Sequence, residues 1–350
     1  MKPEWKGFLE DAGAEFDEQG VVTSFGSQRR ELSVALTGNV FSDLSHMALI
    51  SVHGKDAQDF LQGQLTNDVR EVDAGHSQLT AYCSPKGRML ALFRLFRIDD
   101  SFYLSLPESL VEPVLKRLRM FVLRSDVTLE EVTDTFVHLG ISGPEAPAEL
   151  EALVGGEVPG EVDAVLTTPD YSIIRIPGIE PRFEVYGTLD ACTRIWEGLN
   201  VRCAPVGAPA WGLLNVLAGV PQIHPETVEA FVPQMANLHL LNGVSFKKGC
   251  YTGQEVVARM QYLGKLKRRM YLAHVDSDQV PAPGTEIFSE QDPEQAAGKV
   301  VEAHPHPDGG CMLLAVIQIE RAEKDRLHLG TATGPVLELQ DLPYPFEANM

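Results

Sequence analysis

Regular patterning along the chain starts at Met47–His53, MALISVH, an apolar run short enough to predict a buried strand. Gly54-Lys55-Asp56 follows, and Ala57, Phe60, Leu61 and Leu65 then recur on one face, which predicts a helix. Residues 79–83 and Met89–Ile98 are rich in apolar and aromatic side chains and flank Ser84-Pro85-Lys86-Gly87, so they read as a β-hairpin. Asp99-Asp100-Ser101 turns into a third strand. Leu110, Val114, Leu118, Phe121 and Val122 then give residues 107–124 a helical period, and residues 136–141 read as a further strand. The order strand, helix, hairpin, helix, strand is that of a ferredoxin-like unit, a sheet with helices on one face.

Residues 144–168 are rich in Glu, Pro, Gly and Ala without a sustained period and suit a connecting helix with loops. A weaker copy of the first pattern follows. Tyr171–Ile176 and residues 182–186 pair around a Pro-Gly turn, Leu189–Leu199 reads as a helix, and residues 209–218 as another, ended by Gly219 and Pro221. Beyond Lys267 the runs 270–275, 298–303, 311–319 and 325–331 are short, alternate, and are split by Pro, Gly and Asp, which fits a small β-barrel or sandwich. A chain of 350 residues has room for two or three domains of roughly 100–200 residues each. The expected class is α+β, with domains over 1–142, 143–264 and 265–350, the first two able to interleave.

Composition narrows the function classes. The first 20 residues carry six acids and no apolar run of signal-peptide length, and no stretch approaches the roughly 18 apolar residues of a membrane span, so a cytoplasmic protein is expected. The five cysteines, Cys83, Cys192, Cys203, Cys250 and Cys311, are odd in number and show neither a C-x-x-C pair nor a histidine at zinc spacing; no disulfide framework and no metal site are expected. His224, His239, His304 and His306 fall in no catalytic spacing. A net charge of -20 argues against duplex DNA as a partner. Yet between Lys247 and Arg269 seven basic residues (Lys247, Lys248, Arg259, Lys265, Lys267, Arg268 and Arg269) face one acid, Glu255. Such an island suits an anionic ligand, a polyglutamate tail or a short RNA region, and it also describes an ordinary solvated face.

The most informative stretch is Ser245-Phe246-Lys247-Lys248-Gly249-Cys250-Tyr251-Thr252-Gly253-Gln254-Glu255. Thr252 and Glu255 have the spacing of a capping box, so a helix should begin just after Thr252, with Cys250 immediately before its N-terminus. Free N–H groups, the helix dipole and two lysines would favour a thiolate there. The alternative is a small buried cysteine between glycines that permit a tight turn.

KKGCYTGQEVVAR closely resembles the K-G-C-Y-x-G-Q-E signature of the YgfZ family. The similarity extends, in family order, through FLQGQLTNDV at residues 60–69, CSPKGRM at 83–89, RLFR at 94–97, the segment 211–220, and FVPQMANL at 231–238. This resemblance implies the fold of the glycine-cleavage aminomethyltransferases, two ferredoxin-like units around a central folate site with a C-terminal barrel. It implies tetrahydrofolate or a derivative as cofactor, iron–sulfur enzymes or assembly proteins as partners, and an indirect link to tRNA through methylthiolation. The family cysteine matches Cys250. Of two tryptophans associated with the folate site in relatives, one matches Trp211 and the other position holds Met47. Gln64, Thr66, Asn67, Asp68, Gln234, Asn237, Tyr251, Gln254 and Glu255 complete the expected ligand set, although Asn and Asp at such positions equally serve turns and helix ends.

Aminomethyltransferases carry a Gly-Gly-x-x-Asp-Asp-like segment. The corresponding hairpin here reads Gly87-Arg88-Met89-Leu90-Ala91-Leu92 and has no acid to move a proton. The expected function is therefore a folate-binding accessory protein that supports assembly or repair of iron–sulfur enzymes through Cys250, rather than a conventional aminomethyltransferase. The alternatives are a folate-dependent one-carbon transferase or demethylase, and a scaffold that holds a partner through Lys265, Lys267, Arg268 and Arg269.

Overall fold

A computed structural model describes residues 1–262 and 264–346. The chain forms two compact units, each assembled from separate segments: Met1–Ala57, Glu71–Gln78 and Arg94–Leu214 in the first, and Gln58–Arg70, Leu79–Phe93 and the chain from Asn215 onward in the second.

In the first unit, Met47–His53 lies between Ser101–Pro107 and Thr128–Glu131, antiparallel to both. Ala48, Leu49, Ile50 and Val52 are all buried, so both faces are covered; that is why this strand reads as a continuous apolar run rather than an alternating one. Residues 94–98 extend the sheet beyond Ser101–Pro107. The helix expected over 107–124 is shorter, a 3-10 turn at Glu108–Leu110 leading into Val111–Arg119. Val111, Val114, Leu115 and Leu118 form its buried stripe, after which the N–H groups of Met120, Phe121 and Val122 turn back on carbonyls three residues earlier and end it.

The strand that follows this helix in the sheet is Thr128–Glu131. Val137–Ser142, which the sequence placed there, joins a second sheet instead. Its order is Val165–Thr167, Tyr171–Ile176, Arg182–Gly187, Val137–Ser142, Val40–Asp43 and Ala204–Pro205. All its pairings are antiparallel except the last. The reason is burial: Val137, Leu139 and Ile141 share one core with Phe41, Phe183, Val185 and Trp196. Trp196 comes from the helix Leu189–Leu199, whose start is fixed by Thr188 accepting from the Ala191 N–H. Its indole meets Phe41 edge-on at 4.6 Å and Trp5 at 5.5 Å. Trp5 and Leu9 are the buried face of an N-terminal helix, Pro3–Asp11, which has Pro at its start.

In the second unit, residues 79–83 and 89–93 belong to neighbouring strands, as the turn signal between them predicts. The C-terminal part is a six-stranded antiparallel sheet, ordered Leu327–Leu329, Glu286–Ser289, Asp292–Pro305, Cys311–Gln318, Arg268–Val275 and Leu337–Gln340. A bulge between Val300 and Glu302 bends the longest strand. A bridge from His328, on one edge strand, to Val336, beside the other, brings the edges together, so the sheet curls into a half-barrel around Val275, Ile287, Val300, Leu313 and Ile317. The class is α+β, as the sequence predicts. No helix among the described residues is long and apolar enough to cross a membrane.

Candidate functional site

The second unit stitches the segment after the helix Ala57–Gln62 to the loop that carries Cys250. Thr66 Oγ1 donates to the Gly243 carbonyl and accepts from the Ala81 N–H, both at 2.8 Å, and the Thr66 carbonyl accepts from Ser245 N at 3.0 Å. Asn67 Nδ2 donates to the Asn242 carbonyl at 2.6 Å and to that of Leu79 at 3.1 Å. Asp68 takes bonds from Arg70 Nε and Nη2 at 2.8 and 2.6 Å and from Gln62 Nε2 at 2.9 Å. The Arg70 guanidinium holds the Asp68 carboxyl down at about 2, against a smaller opposing effect of burial. Thr66 and Asn67 are thus engaged in holding the backbone, and Asp68 in holding the Arg70 and Gln62 side chains.

Lys248 does not sit on the surface with its neighbour Lys247. It is 6% exposed, and its ammonium donates to the carbonyls of Leu65 at 2.6 Å and Asn67 at 2.7 Å while lying 5.1 Å from the Tyr251 ring. Burial pulls its pKa to about 8, with Asp68 pulling the other way. Removing an ammonium from water costs several kcal/mol, which these carbonyls and the ring face offset only in part. Tyr251 is buried, and that burial pushes its phenol well up.

Two glycines bring the hairpin turn and the cysteine loop into backbone contact. Gly253 has φ +83°, and a Cβ on it would stand 2.5 Å from the Ser84 carbonyl oxygen and 2.9 Å from Gly87 Cα. Gly87, at φ +67°, is equally closed in by Val256 and the Gly253 carbonyl. The helix starts at Gln254, directly after Gly253, and runs to Tyr262. Gln254 Nε2 reaches back to the Gly249 carbonyl at 3.2 Å and clasps the loop around Cys250. Cys250 itself is exposed, whereas Cys83, Cys192, Cys203 and Cys311 are buried. Burial raises those four thiols, Cys83 and Cys192 to about 12 and Cys203 to about 11.

Of the other residues the sequence singled out, Gln234 donates from Nε2 to the Val257 carbonyl at 2.6 Å, at the helix that follows Cys250. Asn237 exchanges bonds with the Met270 backbone, donating at 2.9 Å and accepting at 3.4 Å. Glu255 is exposed. Met47 and Trp211 belong to the first unit. Met47 is half-buried at a strand end, and Trp211 is 3% exposed with the Arg182 guanidinium 4.3 Å over its ring and Gly140 against its edge.

Sequence reasoning missed a charged group in that unit. Arg182 is buried, donates to the carbonyls of Pro177 at 3.2 Å and Leu214 at 3.3 Å, and is pulled to about 9 by burial. Two residues on, Glu184 accepts from Tyr186 Oη at 2.9 Å and lies 3.4 Å from His138 Nε2. Burial would raise the Glu184 carboxyl, but His138, Arg94 and Tyr186 together hold it at about 2. The signal was present: in RFEVYG the residues Arg182, Glu184 and Tyr186 alternate, which puts three polar groups on one face of a strand.

Residues 13–247 match the GCVT N-terminal domain family, so Cys250 falls just beyond that match. Proteins named tRNA-modifying protein YgfZ align with most of the chain. The one from Enterobacter sp. is 32% identical over 87% of this chain and 93% of its own length. Those from Colwellia psychrerythraea and Escherichia coli are both 30% identical, over 88% and 87% of this chain and 94% and 93% of their own. The chain belongs to the YgfZ family. A solved structure of glycine cleavage system aminomethyltransferase T from Bartonella henselae superimposes on this YgfZ-family chain with a TM-score of 0.75 over 96% of both chains, at 19% identity. The fold is shared with that enzyme. On the hairpin of this YgfZ-family chain, Met89 and Ala91 are fully buried and residues 87–92 include no carboxylate.

Proposed function

We propose that this chain is a folate-binding accessory protein that supports assembly or repair of iron–sulfur enzymes, and through them tRNA modification by methylthiolation, with Cys250 as its working residue. The observation that carries this reading is the contrast among the thiols. Four cysteines are buried, and the fifth is held exposed in a loop that Lys248, Gly253 and Gln254 fix from three sides. A thiol kept accessible on a rigid frame suits a nucleophile, redox group or transient ligand, since access and orientation both limit thiol chemistry. The names of the relatives support the tRNA link.

Folate fits this chain through a smaller set of residues than the resemblance implies. Gln64 Oε1 and Gln234 Oε1 are buried acceptors that meet no donor among the described residues, and a pterin presents N–H donors of the kind they lack. Thr66, Asn67, Asp68 and Asn237 are engaged with the protein's own backbone or side chains, and the Trp211 ring is already covered by Arg182. Aminomethyl transfer by the related mechanism lacks its carboxylate, so folate acts as a bound effector or one-carbon trap.

The test pairs two measurements. Tetrahydrofolate titrated into the purified protein should quench tryptophan fluorescence saturably, with Trp211→Phe as the control for inner-filter effects. A strain lacking the gene should regain tRNA methylthiolation with the wild-type chain and fail to do so with Cys250→Ala. Full rescue by Cys250→Ala would overturn the role of the thiol, and no saturable folate effect would overturn the ligand.

A further inference from the structure

The basic residues that the sequence gathers between Lys247 and Arg269 separate in three dimensions. Lys248 is buried, and the Arg269 guanidinium lies 4.4 Å over the Phe346 ring. Lys247, Arg259, Lys265 and Lys267 are exposed, with Arg268 half-buried, and none of these five makes an ion pair with another described residue. Elsewhere on the surface Lys6, Lys55, Arg202, Lys299, Lys324 and Arg326 each stand within salt-bridge distance of a carboxylate. In a chain of net charge -20, cations without carboxylates mark a local positive field. Acids close to these cations include Glu255, on the same helix, Glu320, which follows the residue whose N–H donates to the Lys267 carbonyl, and Glu323, which acts on Tyr271 beside Arg269.

An exposed aromatic ring, with a half-buried one against it, accompanies these charges. Tyr262 is 68% exposed at the end of the helix Gln254–Tyr262, and Phe246 meets it edge-on at 6.3 Å. Arg259 and Tyr262 are three apart on that helix and share a face. A ring left in water contributes nothing to the core, so its exposure beside unpaired cations calls for a partner that uses both.

We infer that Phe246, Lys247, Arg259, Tyr262, Lys265 and Lys267 form a docking strip for a single-stranded segment of RNA, with a base stacked on Tyr262 and phosphates at the cations. Single-stranded nucleic acid is recognised by this combination of ring faces and basic groups. An acidic peptide would use the cations but leave the rings idle. With a net charge of -20 the chain as a whole repels a long, stiff duplex, whereas a short flexible strand can stay within the roughly 8 Å over which the local field survives screening. Two residues of the strip, Arg259 and Tyr262, lie on the helix whose N-terminus follows Cys250. This goes beyond the proposed function, in which the link to tRNA runs through client enzymes, and it depends on neither folate nor the thiol.

The experiment is fluorescence anisotropy of a labelled, unstructured 12-nucleotide RNA titrated with the full chain at low and physiological salt. Saturable binding is expected, unchanged by Cys250→Ala. Tyr262→Ala should weaken it at least about fivefold, the loss of one stacked base, with the salt dependence preserved. The double variant Lys265→Glu, Lys267→Glu should weaken it further and reduce the salt slope by about 1.4, the share of two phosphate contacts on a single strand. All these side chains are exposed, and matching circular dichroism melts check that the fold is kept. Absence of saturable binding at low salt, wild-type affinity in both variants, or equal competition by a polyglutamate peptide of matching charge would each overturn the inference.

Discussion

The ammonium of Lys248 donates to the main-chain carbonyl of Asn67 at 2.7 Å, and so ties the residue two positions before the exposed cysteine to a segment far away in the chain. Replacing it by methionine leaves two buried carbonyls without a donor, a loss of about 1–3 kcal/mol in chemical denaturation above the folded pKa of about 8, where the lysine is neutral and carries no buried charge. A pH signature separates this from general damage. The folded lysine titrates at about 8 and the ordinary value is 10.5, so between those values the unfolded chain holds more protons and stability rises with pH. Below pH 8 the penalty for burying the charge is fully present. From pH 7.5 to 9.5 the wild type should gain on the order of 2 kcal/mol relative to Lys248→Met.

Two glycines on either side of Cys250 should respond differently to alanine. Gly253→Ala forces a side chain into a left-handed backbone and against the Ser84 carbonyl, so thermal melting should fall by several degrees. Gly249 has open space where a Cβ would stand, and Gly249→Ala should melt as the wild type does.

Thiol counting tests the accessibility of Cys250 directly. In the native protein a thiol reagent should modify one cysteine quickly, and the remaining four only after unfolding. Cys250→Ala should remove the fast phase and leave the melting temperature essentially unchanged.

Within the first unit, a Cβ at Gly140 would stand 2.6 Å from the Trp211 ring, and this overpacking should cost about 1–3 kcal/mol. Gly7 lies inside the helix Pro3–Asp11 with nothing near the missing Cβ. Gly7→Ala should stabilise by roughly 0.5–1 kcal/mol, the difference in helix preference, measured by denaturant titration.

What the sequence determined by itself was local. The apolar run at Met47–His53, the turn signal at Ser84–Gly87 and the period of Leu189–Leu199 each produced the element they predict, because hydrophobic spacing and turn chemistry act within a few residues. The cysteine loop and its family were legible for the same reason, a contiguous signature. What the tertiary structure decided was partnership. Lys248 reads as surface charge beside Lys247 until the Leu65 carbonyl, 183 positions away, takes its proton donors. Thr66, Asn67 and Asp68 read as ligand groups until backbone amides and carbonyls claim them. Val137–Ser142 left the sheet its order suggested because its apolar side chains found a core with Phe41 and Trp196. Burial and hydrogen-bond satisfaction are properties of residues distant in sequence, and only the folded chain brings them together.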